Sequence, residues 1–488
     1  MSWRRINERI RGVAPRLRPR ALAAALSLTL LAAALGASSA DARGLRTGFT
    51  DNNIFDPSAP PTANRDMWLD RAVSARAGII RITVDWRNAV RRKPANPINP
   101  ADPAYGFARL DTAVRSATMR GLDVMLTVYR APDWAEGAHP PRGIQPGAWK
   151  PDATAYGKFA QALARRYSGH FHGLPRVRYF EAWTEPNLTQ FLAPQWEGKA
   201  LFAPRRYRQL LNSFYAGVHA AQPGATVIAG ATSSFGDSRT HQLYPAHPRM
   251  HPMVFLRTVL CLNAKLKRTK GCTEKTHLDA LSAHPLNITK GPNYKPRSKD
   301  DLQVATFGRL GRLLNAAKRA NTVLPEGPHP LWATEEGMLS DPPNPQGVAP
   351  QVQARWIEEV LYLLWKQGAS TVVNLNLRDP TYDPSRSPGG QWTTGLFFRG
   401  GKAKPAFKSW RFPFVTHRKS KRQVSAWGKA PGSGTLRIEQ LVHGHWRPRK
   451  AVTVRAGQVF TPTFRLKGTA TLRARVGSTT SLSWHQSG

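Results

Sequence analysis

Eight short apolar runs, spaced along the chain with amphipathic stretches and polar loops between them, constrain the fold more than any other feature. They fall at 45–49, 79–86, 124–129, 178–184, 226–229, 278–283, 331–335 and 371–377. Each is short, and most are rich in β-branched or aromatic residues, as strands are. Between them, Phe107, Leu110, Val114 and Ala117 repeat at helical spacing, as do Val352, Trp356, Val360 and Leu363. Eight β/α alternations predict an α/β protein, a closed (β/α)8 TIM barrel. A doubly wound sheet is the main rival, but no Gly-rich phosphate loop follows the first strand. At 488 residues, 41% of them hydrophobic, the chain can bury a large barrel core with an appendage to spare.

Two of the runs end in a carboxylate. Residues 179–187 read YFEAWTEPN: Tyr179, Phe180 and Trp183 favour a strand, and Pro186 lacks the N–H needed to continue one. Glu185 then stands at the strand's C-terminal tip, where a barrel carries its chemistry. Residues 331–337 read LWATEEG, another apolar run ending in carboxylates and broken by Gly337. Paired strand-tip carboxylates are what a retaining glycosidase uses, one as acid/base and one as nucleophile. Adjacent strand residues face opposite ways, so only one of Glu335 and Glu336 can point into the barrel.

The pleat makes further predictions. In the second strand Ile80, Ile82 and Val84 share a face that suits the outer helices, while Arg81, Thr83 and Asp85 share the inward one. In the fourth, Glu181, Trp183 and Glu185 are expected on one face. A buried Glu181 needs a partner, and Arg81 is the candidate.

At these residues the chain resembles the clan A glycoside hydrolases, retaining TIM-barrel enzymes, and within them family 39 and its family 5 relatives. FEAWTEPN at 180–187 is similar to the family's F-E-x-W-N-E-P-N, and WATEEG at 332–337 to its W-x-T-E-x-G. Arg81 on the second strand and Ala283-His284-Pro285 on the sixth also match, and the resemblance spans roughly residues 45–410. It implies Glu185 as general acid/base, Glu335 as nucleophile, and Arg81 as the cation beside Glu335, with no metal or other cofactor. Two positions depart from the pattern. Thr184 replaces the Asn that meets the sugar 2-hydroxyl, and Leu286 replaces a tyrosine. These departures leave a second reading open, a weak or inactive barrel that binds cell-wall polysaccharide. His284 reads either as a substrate contact or as a structural histidine. Trp86, Tyr129, Trp134 and Trp392 are the candidate aromatic platforms for sugar rings.

The termini read differently. Residues 1–42 combine seven arginines, an apolar run at 21–37 and an Ala40-Asp41-Ala42 site, the pattern of a cleaved signal peptide. That predicts a secreted protein, in or near the cell wall, with no stable membrane span after cleavage. In such a compartment the two cysteines, Cys261 and Cys272, are expected to form a disulfide, with buried free thiols as the alternative. The catalytic domain is expected over 43–415. After the basic run at 418–422, short alternating segments with Gly turns predict a small all-β domain over 423–488. The formal charge of +41 points to an anionic partner such as an acidic polysaccharide, or simply to an arginine-rich composition. No recognised nucleic-acid module accompanies it, so nucleic acid is not expected as a partner. A monomer acting on an oligo- or polysaccharide is the overall expectation.

Overall fold

The computed structural model describes residues 43–60, 64–237, 248–287 and 289–488. The expected signal peptide therefore lies outside the described residues. Residues 43–488 form one compact unit.

Eight parallel strands close into a barrel: β1 (Arg46–Thr50), β2 (Ile79–Asp85), β3 (Asp123–Tyr129), β4 (Tyr179–Ala182), β5 (Thr226–Thr232), β6 (Ala280–Ala283), β7 (Leu331–Glu336) and β8 (Ala369–Leu375). Each strand pairs with its neighbours in sequence, and β8 closes on β1. All eight expected strands are present, within a few residues of their predicted bounds.

The helices follow the expected alternation. They are α1 (Arg65–Ser74), α2 (Ala108–Thr118), α3 (Ala153–Arg166), α4 (Ala203–Ala221), α5 (Pro252–Val259), α6 (Gly308–Arg319), α7 (Pro350–Lys366) and α8 (Pro405–Arg411). Helix α3 starts at an Asp152 cap whose carboxylate accepts from the Ala155 N–H. In α7 the buried apolar residues are Ala354, Ile357, Val360, Leu361 and Leu364, so the expected stripe is buried at Val360 but the face is centred to one side of it. Val352 is 40% exposed. Both sets fit an i, i+3/i+4 pattern, because Trp356 and Leu363 are apolar residues on the flank of the true stripe.

The barrel interior is layered. Ile79, Met125, Ile228, Ala280, Trp332 and Val373, one from each of six strands, pack together as an apolar floor. Two residues further along their strands come Arg81, Thr127, Ser282 and Thr334, with Glu181 from β4, all buried. Period-2 alternation thus turns from apolar to polar as the strands rise toward their C-terminal ends.

After α8 the chain forms antiparallel sheets from β9 (Phe414–Ser420), β10 (Gln423–Lys429), β11 (Gly434–Val442), β12 (His445–Val454), β13 (Val459–Phe460), β14 (Thr463–Arg465), β15 (Ala470–Val476), β16 (Thr479–Thr480) and β17 (Trp484–Gln486). The first of these strands begins at Phe414, so the basic run at 418–422 forms the end of β9 and its two-residue turn into β10. Leu436, Ile438, Leu472, Ala474 and Phe464 meet in their shared core. Cys261 and Cys272 form the expected disulfide, with their Cα atoms 5.7 Å apart. Among the described residues, no helix is long and apolar enough to cross a membrane.

Candidate active site

The tip of β4 departs from simple pleating, and that departure builds the site. The strand stops at Ala182, because Trp183 and Glu185 both adopt left-handed backbone angles, with φ of 72° and 41°. Such angles are uncommon outside glycine and cluster at functional sites. Trp183 therefore turns out of the barrel, contrary to the expected shared face with Glu181. It is fully buried against Tyr156 of α3, and its Nε1 donates to the Phe191 carbonyl at 3.0 Å. Thr184 and Glu185 are swung to the mouth instead.

Two buried tyrosines satisfy the backbone there. The Tyr156 hydroxyl donates to the Val128 carbonyl at 2.8 Å and accepts from the Trp183 N–H at 3.1 Å. The Tyr207 hydroxyl, from α4, donates to the Ala182 carbonyl at 2.9 Å and accepts from the Gly230 N–H at 2.8 Å. Gly230 has a φ of 103° and lies so close to Ser282 that a Cβ would sit 2.2 Å from the Ser282 carbonyl oxygen. Asn187 ties down the following loop: its amide donates to the Ser233 hydroxyl and the Met250 carbonyl. No pattern in strand-forming residues signals these tyrosines, which are helix residues acting on strands.

Opposite, β7 delivers Glu335 to the mouth. Arg81 Nη1 donates to Glu335 Oε1 at 2.6 Å, Nε to Glu181 Oε2 at 2.8 Å, and Nη2 to the Thr184 hydroxyl at 3.2 Å. The predicted Arg81–Glu181 pair is thus present, and one guanidinium links three strands. Glu336 points the other way. It is fully buried, neither carboxylate oxygen has a hydrogen-bond partner among the described residues, and burial pushes its carboxyl up to about 8.

His284, at the end of β6, lies between the two mouth carboxylates. Its Nδ1 is 3.1 Å from Glu185 Oε1 and 3.6 Å from Glu335 Oε2, and the ring is fully buried. One atom each from Glu185, His284 and Glu335 lie within 4.8 Å of one another. Burial disfavours a charged imidazole, but Glu335 and Glu185 outweigh it and raise its pKa. Burial likewise opposes ionisation of Glu181, yet Arg81 and His284 hold its carboxyl below the usual range. Hydrogen bonds from the Thr127 and Ser282 hydroxyls, at 2.8 and 3.1 Å, add to that. Arg81 stays charged because Glu181 and Glu335 overcome the cost of its burial. With a guanidinium already on Glu335 and the imidazole engaged with Glu185, the trio suits proton transfer better than cation ligation.

The aromatic candidates divide. Trp86 is a correction: it is wholly buried, packed on Trp134, Tyr156 and Phe159 with ring centroids 5.4 to 6.0 Å away, and offers no face to a sugar. It begins a one-turn helix whose first residue turns inward to the core. Trp134, edge-on to Trp86, and Trp392 are half-buried, and the Trp392 carbonyl accepts from the Asn376 amide. Tyr129 does border open space. With Thr83, Asp85 and Tyr105 it lines a cavity of about 820 Å³ at the tips of β2 and β3. Glu185 and Glu335 are not among its walls. Asp56, also in that wall, accepts from the Thr83 N–H at 2.8 Å, and burial pushes its carboxyl up to about 7.

Fold and site together define a (β/α)8 barrel with carboxylates at the tips of strands four and seven. Its architecture is that of the family 39 glycoside hydrolases. The family 39 glycoside hydrolase of the gut symbiont Bacteroides cellulosilyticus WH2 superposes with a TM-score of 0.55 at 15% identity, over 87% of this chain and 81% of that one. The GH39 enzyme of Xanthomonas axonopodis pv. citri gives 0.50 at 14% identity, over 87% and 92%. At such identities the likeness is one of fold. No family model and no curated protein sequence matches the chain.

Proposed function

We propose that the protein is a secreted retaining glycosidase that cleaves a β-linked glycan by double displacement. The observation that carries this reading is the approach of Glu185, His284 and Glu335 to within 4.8 Å of one another at the barrel mouth. Retaining enzymes hold their two carboxyls about 5–5.5 Å apart, whereas inverting ones need about 6.5–9.5 Å to admit water.

In the first step Glu335, ionised and oriented by Arg81, attacks the anomeric carbon. Glu185 gives its proton to the leaving oxygen. The second step reverses the traffic: Glu185 takes a proton from water, which displaces the Glu335 ester. His284 keeps a proton within reach of Glu185 throughout. Thr184 accepts from Arg81, which fixes its hydroxyl and leaves its own O–H to donate to the sugar.

The second reading, a polysaccharide-binding barrel with little turnover, is favoured by Leu286, which has no hydroxyl to offer the site. Turnover separates the two. Glu335→Gln is expected to lower kcat on an aryl β-glycoside by a factor of about 10³ or more, since it removes the covalent step. An unchanged rate would take Glu335 out of this role.

A further inference from the structure

The C-terminal sheets are the most asymmetrically charged part of the molecule. Residues 414–488 hold fourteen Lys and Arg and a single carboxylate, Glu439. In β11, Leu436 and Ile438 face the core, so Arg437 and Glu439 lie on the opposite face, where Arg437 is exposed and Glu439 buried. In β15, Arg475 stands directly opposite Arg437, and Arg473 opposite Glu439. Trp446 of β12 joins this face, 4.1 Å beneath the Arg473 guanidinium.

Glu439 accepts from the Nε atoms of both Arg473 and Arg475, at 2.8 Å each. That one carboxylate is spent on two guanidiniums. Arg437 remains exposed, with no hydrogen-bond or ion-pair partner among the described residues. It faces a like charge across the strands, an arrangement that costs stability unless an anion compensates it. Arg473 and Arg475 are themselves only part-buried, their side chains 24% and 36% exposed, so three guanidiniums share this face with one carboxylate.

We infer that this outer face is a docking surface for a carboxylate-bearing polysaccharide, a linear glycan with regularly spaced uronate groups. The Glu439 arrangement shows that these guanidiniums meet a carboxylate in good geometry, and Arg437 is left to meet the next one. Nucleic acid fits less well, because stacking needs free aromatic faces and Trp446 is already covered by Arg473. The choice of a glycan rests on the glycosidase reading, but binding needs no turnover, so the two fail separately.

The test is affinity electrophoresis of the full chain at 0.15 M NaCl through gels containing polygalacturonate, poly(glycerol phosphate), a neutral β-glucan or duplex DNA. Polygalacturonate is expected to retard the protein most. The combined Arg437→Ser and Arg475→Ser variant should bind it at least about tenfold more weakly, through the loss of two of the three guanidiniums on this face. Aryl-glycoside turnover should be unchanged in that variant, which reports that it is folded. Three results would overturn the inference: no retardation by polygalacturonate, equal retardation of the variant, or tighter binding to DNA or to the phosphate polymer.

Discussion

At the scale of single residues, the site depends on which way adjacent side chains point. Glu335 meets Arg81 at the mouth, while Glu336 one position on is sealed from water without a partner among the described residues. Burial alone raises Glu336 from 4.5 to about 8. A carboxyl whose folded pKa is raised stabilises the fold fully below its unfolded pKa, and that contribution is lost as pH rises through the folded value. Glu336→Gln, isosteric and never charged, should therefore match the parent in thermal stability near pH 4 and exceed it by several degrees at pH 9. Melting curves at the two pH values check this; an equal difference at both would contradict it. That only one of these neighbours could face the mouth was legible from the two-residue period, and the resemblance to W-x-T-E-x-G pointed to Glu335. Strict alternation from the inward Trp332 and Thr334 would have chosen Glu336, and a register shift between Ala333 and Glu336 reverses it. The place of Trp86 was not legible. Its position one residue past a strand tip suggested an open face, but a one-turn helix carries it into the core.

At the scale of elements, β4 matters most. Its existence was legible, but the course of the three residues after it, Trp183 to Glu185, was not. Regular alternation would have kept Trp183 beside Glu181, and the left-handed backbone at Trp183 and again at Glu185 defeats that expectation. The supporting contacts come from helices α3 and α4, whose tyrosine hydroxyls bridge backbone groups of neighbouring strands. Tyr156→Phe should cost about 0.5–1.5 kcal/mol through the loss of a buried hydrogen bond, since the Trp183 N–H still donates to the Val128 carbonyl at 2.9 Å. It should also lower kcat more than it raises KM, because Glu185 sits two residues from Trp183, whose backbone the hydroxyl helps to hold. Urea unfolding and steady-state kinetics read the two effects; a stability loss with unchanged kcat would detach the tyrosine from the site. The shift of the α7 stripe has a similar origin: flanking apolar residues offered two equally periodic faces, and only packing chose between them.

At the scale of the whole molecule, the barrel and the C-terminal sheets meet through a buried cation. Lys429 of β10 donates to the Thr47 hydroxyl of β1 at 2.7 Å, and burial lowers its pKa to about 8. For a base with a depressed folded pKa, stability is full above the unfolded value of about 10.5 and is lost as pH falls through the folded one. Lys429→Met should thus raise the melting temperature at pH 7, with the gain shrinking toward pH 10. A gain that grew with pH would contradict the burial argument. Nothing in the local pattern marked Lys429, since its burial comes from a strand some 380 residues away in sequence. The alternation of eight strands, by contrast, was plain from end to end, because each turn of the barrel repeats the same short-range rule.

The central claim is that Glu185 and Glu335 act across a gap that only direct carboxylate attack can use. Proton NMR of the first sugar released from an aryl β-glycoside tests it most directly. The β-anomer should appear first, followed by slow mutarotation; first release of the α-anomer would mean inversion and would contradict the claim.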